Sequence, residues 1–342
     1  MSSKVAYLFG AGASANALPV VSEMANGLEK FLEKIQSDSI FSFSHDKITI
    51  DRVVISREEL KHSLCESLAW LIKGTKEHAS IDTYAKKLYL TGGHNRLIEL
   101  KAALSCYFTY LQTTNSFDKR YDTFFASIIG ANGDLSKEIR ILSWNYDSQF
   151  EIAYNGYYGP SNYNIIHTKL NITPSDLQLH GGQRIEVKPD EFAIFKLNGT
   201  AGVFNTTRSI MGTILDAPPE LMTPTTTDAI IRWYGYLTLS SQTRSLMSFA
   251  WEDDKIASEV LERAQESTED TTTIVCIGYS FPYFNRDIDR IIIGGMQKLE
   301  TIYFQALPHH LEDNMARFKA IRTDIKEVPI RDITQFFIPP EL

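Results

Sequence analysis

The chain has 342 residues, 43% hydrophobic and 22% charged, with a formal net charge of −8. That length sustains a sizeable core without disulfides or structural metals. The three scattered cysteines, Cys65, Cys106 and Cys276, exclude a disulfide-stapled secreted fold and a four-cysteine zinc site. The acidic balance argues against a broad nucleic-acid footprint, and no apolar run reaches the roughly 18 residues of a membrane span. The expectation is a soluble, cytoplasmic protein without a metal centre.

In chain order, Val5–Phe9 is a short apolar run and reads as a buried parallel strand. A glycine turn over Gly10–Ser14 follows, then a helix over Ser22–Ile35 with Ser22 as its N-cap. Lys47–Ile55 suggests a hairpin. Residues 57–129 carry leucines at three- and four-residue spacing and read as a helical insertion within a single domain spanning residues 1–342. Ile139–Ser143, Phe192–Leu197, Thr273–Ile277 and Thr301–Gln305 read as further buried strands. Helices are expected at Phe150–Tyr154, Ile230–Tyr236, Asp254–Glu266, Asp287–Ile293 and Asp313–Ile321. Asn155–Asp190 and Leu215–Thr227 read as loops, and Asn198–Gly202 as a polar turn. Short apolar strands alternating with helices predict an α/β fold: a Rossmann-like parallel sheet with helices on both faces.

Ligands of such sheets bind at the carboxyl ends of the strands, and four unusual polar clusters stand there. Gly10-Ala11-Gly12-Ala13-Ser14 follows the first strand, where glycines let backbone amides approach a pyrophosphate. Trp144-Asn145-Tyr146-Asp147 places an amide and a carboxylate at the second; the plainer reading is a turn bonding its own backbone. Lys196-Leu197-Asn198-Gly199-Thr200 ends the third. Gly278-Tyr279-Ser280-Phe281 ends the fourth, and Asp287 and Asp289 beyond it read as first-turn helix acids. No acid closes a second strand about 20 residues after the glycines, which disfavours a hydride-transfer enzyme.

These four motifs, in this order over residues 4–305, resemble the sirtuin superfamily, and in particular the prokaryotic sirtuin-like NAD hydrolases of anti-phage defence. The zinc ribbon of sirtuin deacetylases cannot be built from three cysteines. The resemblance implies NAD as substrate, with Gly10, Ala11, Gly12, Ala13 and Ser14 at its pyrophosphate and Pro19 near the nicotinamide. It implies Trp144 as a further binding residue and Asn145 at the nicotinamide ribose. Asp147 would meet the carboxamide or order its surroundings, and Gly278 and Ser280 would meet the adenosine half. It also implies a homo-oligomer, and a partner such as an ATPase or a nucleic-acid-guided protein, acting in NAD depletion during infection.

One position departs from the family: Asn198 stands where it usually has a histidine general base. An amide takes up no proton at neutral pH. Hydrolysis is then slow, or another group substitutes (His180, His167 or the Asp147 carboxylate), or the chain binds NAD without cleaving it, as a sensor or structural subunit. The remaining histidines lack metal-ligand spacing, the cysteines read as inert buried thiols, and Arg120-Tyr121 reads as helix packing.

Overall fold

A computed structural model of the protein describes residues 4–38, 47–158, 163–174, 191–205, 210–212 and 226–342. The chain opens with β1 (Val5–Phe9) and α1 (Met24–Ser37). A hairpin follows, of β2 (Lys47–Ile50) and β3 (Val53–Ser56), joined through Asp51 and Arg52 at φ 49° and 94°. Two positive-φ residues form the turn whose twist matches an antiparallel pair. Next come α2 (Arg57–Glu77), α3 (Ile81–Leu90), α4 (His94–Thr114) and α5 (Lys119–Ile128). A reciprocal capping box between Ser56 and Glu59 starts α2.

The next strand is β4 (Ile139–Ser143), followed by α6 (Gln149–Tyr158), α7 (Tyr163–Lys169), the short β5 (Ile172–Thr173) and β6 (Ala193–Lys196). A small antiparallel group comprises β7 (Gly199–Asn205), β8 (Ile210–Gly212) and β9 (Thr243–Met247), with α8 (Thr226–Leu239) between the last two. The chain continues through α9 (Lys255–Thr268), β10 (Thr273–Ile277), α10 (Arg286–Gly295), β11 (Thr301–Gln305), α11 (Pro308–Lys319) and β12 (Lys326–Ile330).

Among the described residues the central sheet has seven strands in the order β12-β11-β10-β1-β4-β6-β5, and every pair is parallel. Leaving aside the edge strand β5, the other six run 3-2-1-4-5-6 in topological terms, the order of dinucleotide-binding doubly wound sheets. The strand order reverses between β1 and β10, so a crevice opens beyond their carboxyl ends. The expected Rossmann-like α/β architecture is therefore the one observed.

Side chains alternate across the sheet with period two. Ala6, Leu8, Leu142 and Ile274 face a core closed by α9, α10 and α11. Val5, Tyr7, Phe9, Ile141 and Val275 face another, closed by α5, α6, α7 and Phe336 of the C-terminal segment. A third core lies in a separate lobe, where α2, α3 and α4 pack with α1, the hairpin and α8. The helices of residues 57–129 thus divide between two cores, because α5 presents Tyr121, Phe124 and Phe125 to the sheet. Among the described residues no helix is long and apolar enough to cross a membrane.

Some local expectations change. Of the segment Asn198–Gly202 read as a polar turn, Asn198 lies in a turn, but Gly199–Gly202 open β7, where Gly199, at φ +71°, pairs with Met247 of β9. That pairing joins residues far apart in sequence, so local composition does not reveal it. Ser22 is no N-cap, since a 3₁₀ turn over Val21–Glu23 leads into α1. The strands β5, β9 and β12 and the helix α7 carry too little local pattern to be read from the sequence. Of these, β12, with the sequence KEVPI, sits at the sheet edge, where proline is tolerated.

Candidate functional site

A cavity of about 360 Å³ lies where the carboxyl ends of β1, β4, β6 and β10 meet the helical lobe. Gly10, Ala11, Ser14 and Pro19 line it from the first strand end and the loop beyond it. Trp144, Asn145 and Asp147 line it from the second, Asn198 from the third, and Gly278 and Ser280 from the fourth. Gly12 and Ala13 are absent from its lining.

The reason is a close approach of two loops. The Gly10 N–H donates to Ile277 O at 3.0 Å, and the Gly12 N–H to Gly278 O at 3.0 Å. The Ala13 N–H returns to Gly10 O at 2.9 Å. A side chain on Gly278 would stand 2.3 Å from the Ala13 nitrogen, and one on Gly10 2.6 Å from the Tyr279 Cα. These glycines let the β1 loop lie on the β10 loop; two of the amides expected to cradle a pyrophosphate, those of Gly10 and Gly12, are spent in that contact, and a third, that of Ala13, is spent within the β1 loop. In the β10 loop Gly278 sits at φ +60°, which glycine adopts freely, and Phe281 at φ +48°, which is strained for an aromatic residue. Phe281 is held there by Tyr279, Phe304 and Phe318 rings at 4.9–6.2 Å.

The polar floor of the cavity is a connected network. Asn145 donates its amide to Gly10 O at 3.0 Å and Ser14 Oγ at 3.3 Å. Gly10 O can only accept, which fixes the amide nitrogen toward β1. The Asn145 amide oxygen then has no protein donor among the described residues. Ser14 Oγ donates to Asp147 Oδ2 at 2.7 Å and lies 2.8 Å from the Tyr121 hydroxyl. The other Asp147 oxygen accepts from the Gln149 N–H at 3.2 Å. Burial raises the Asp147 carboxyl above its usual range, against the pull of Lys196, Ser14 and Gln149. Asn198 donates weakly to Trp144 O at 3.4 Å, and its buried amide oxygen has no partner among the described residues.

This floor is held from beneath by residues to which the sequence assigned no such role. The buried Lys196 Nζ donates to Asp147 O at 2.5 Å and to Glu151 Oε2 at 3.3 Å. Burial alone would raise the Glu151 carboxyl, but the Lys196 ammonium and His167 override it and hold it near 2. His167, offered by the sequence as a substitute base, sits at 3.6 Å from Glu151 Oε1 and is absent from the cavity lining. His180 lies outside the described residues. Arg120, read as packing, clamps the back of the glycine turn, donating to Gly12 O at 3.3 Å and Ala13 O at 3.0 Å. Asp118 orients it through a 2.6 Å ion pair.

Asp287 and Asp289 both fall in the first turn of α10, as expected. Asp289 is nonetheless 2% exposed and accepts from the Tyr279 hydroxyl at 2.8 Å. The Tyr279 ring in turn stacks on Trp144 at 5.9 Å, which ties α10 to the cavity wall. Burial raises the Asp289 carboxyl to about 7, although the Tyr279 hydrogen bond opposes that. A carboxyl raised in the folded state holds its proton where the unfolded chain has lost it. Stability then falls as pH rises from about 4 towards 7. Asp289→Asn is expected to flatten the melting temperature over that window, which a pH series of thermal melts reads directly.

The lobe completes the cavity with residues that carry no motif. Ser80, Ile81 and Asp82 come from the start of α3, Leu104 and Phe108 from α4, and Phe249 from beyond β9. No lysine or arginine lines the cavity among the described residues. No family model matches the chain, and no curated protein matches it.

Proposed function

We propose that this cleft binds NAD and hydrolyses the bond between nicotinamide and ribose. The observation that carries the reading is the pair of amides on Asn145 and Asn198. Each stands two residues beyond Ser143 and Lys196, which are paired in register on neighbouring strands. Each presents a carbonyl oxygen without a protein donor among the described residues, and a ribose offers two adjacent hydroxyl donors. The strand order and the four motifs that resemble sirtuin-like NAD hydrolases support the same ligand. The site's charge fits the chemistry too. Cleavage develops positive charge on the ribose, and preorganised negative groups stabilise such a state. The lining supplies Asp82 and Asp147 and, among the described residues, no lysine or arginine. Loss of NAD would be the physiological output, in an assembly of several copies answering to a partner protein in anti-phage defence.

A second reading, NAD binding without cleavage, is favoured by Asn198 itself, which has no basic site. Incubation of pure protein with NAD, alone and with the product of the neighbouring gene, separates the two. Nicotinamide release is expected in at least one condition. Saturable binding by calorimetry with no release, together with turnover gained on Asn198→His, would favour the second reading. Neither binding nor release would overturn both.

A further inference from the structure

We propose that Asp82, supplied by the helical lobe, is the general base that activates the attacking water in place of the missing histidine. This inference rests on the NAD hydrolase reading above.

Elimination among the lining residues leads there. Among the described residues four of them titrate: Asp82, Tyr146, Asp147 and Tyr279. Tyr146 donates its hydroxyl to Ser248 O at 3.2 Å, and Tyr279 donates to Asp289. Burial pushes both phenols far above their ordinary range. Asp147 has both oxygens engaged, by Ser14 and Gln149, and is 3% exposed. Its role is to hold the floor. Asp82 alone has neither an ion-pair partner nor a hydrogen bond to another side chain among the described residues.

The placement of Asp82 also differs from that of an ordinary first-turn acid. Such residues stand in solvent, where the helix N-terminus favours their charged form. Asp82 is instead half-buried in the cavity wall, where burial raises its carboxyl above the usual carboxylate range. Asp82 lines the same cavity as Asn145, Asp147 and Asn198. Glu252 is outside that lining and is held by Lys101 at 2.7 Å and by the Phe249 N–H at 2.8 Å.

The step balances without a further reactant. The water oxygen bonds to C1′ of the ribose while one of its protons passes to an Asp82 oxygen. The C1′–nitrogen bond breaks, and its electron pair leaves with nicotinamide, which departs neutral. Asp82 then returns its proton to solvent.

Three variants test this, each assayed for nicotinamide release, for NAD binding by calorimetry and for thermal midpoint. Asp82→Asn is expected to lower turnover by about 10²–10³-fold, with NAD affinity within about threefold of wild type and an unchanged fold. The acid limb of the pH–rate profile should disappear in its residual activity. Asp82→Glu should recover part of the rate, and Asp82→Ala should regain turnover when formate is added, which loss of a helix-end charge alone would not produce. Wild-type turnover in Asp82→Asn, or failure of formate to restore Asp82→Ala, would overturn the assignment while leaving the hydrolase reading intact. If wild-type protein binds NAD without cleaving it under any condition, or does not bind it, the hydrolase reading fails and this inference fails with it.

Discussion

Asn145→Ala is expected to reduce nicotinamide release by about 10²-fold or more, the scale of loss when a reacting group is no longer oriented. The Asn145 amide joins two roles. Its nitrogen ties β4 to the β1 loop through Gly10 O and Ser14 Oγ, and its oxygen faces the cleft. Alanine removes both at once. The two lost hydrogen bonds to neutral acceptors are worth about 1–3 kcal/mol together, so the variant should fold with a slightly lowered thermal midpoint. A chromatographic assay for nicotinamide, run beside a thermal melt, separates the two effects. An unchanged rate would remove Asn145 from the proposed chemistry, whereas a collapse of the melt would assign it to the scaffold.

The second large effect belongs to Gly278→Ala. Its φ of +60° disfavours any residue with a Cβ, at a cost of about 1–2 kcal/mol. The new methyl would also stand 2.3 Å from the Ala13 nitrogen and 2.4 Å from the Gly12 carbonyl carbon, both backbone atoms that cannot swing aside. Overpacking of this kind typically adds about 1–3 kcal/mol. A fall of the thermal midpoint by on the order of 5–10 °C is expected, with loss of NAD binding as the two loops part. Gly92→Ala is the control. Gly92 has φ +78°, but an added methyl there would meet nothing within 4 Å, so it carries only the conformational cost. Equal losses in both variants would show that the loop contact contributes nothing.

The same contact shows where a sequence motif and its physical cause can part. Gly10-Ala11-Gly12-Ala13-Ser14 matches a phosphate-binding pattern, and Gly10, Ala11 and Ser14 do reach the cavity. Yet the glycines are fixed first by the Gly278–Tyr279 backbone, which lies near the other end of the chain. The uncommitted carbonyl oxygens of Asn145 and Asn198 are likewise a product of what their nitrogens already bond. No spacing rule encodes that.

The sequence by itself determined the buried strands Val5–Phe9, Ile139–Ser143 and Thr273–Ile277, the parallel α/β class and the strand-end positions of the four polar clusters. These follow from local apolar runs and turn chemistry, which are written in consecutive residues. Tertiary structure alone decided the rest. It set the reversal of strand order between β1 and β10, the division of the helices between lobe and sheet, and the Lys196–Glu151 pair beneath the floor. It also brought Asp82, an acid in the first turn of α3, into the wall of the cavity. Such juxtapositions depend on burial and on contacts between distant segments, and a side chain acquires its chemistry there only when the fold has chosen its neighbours.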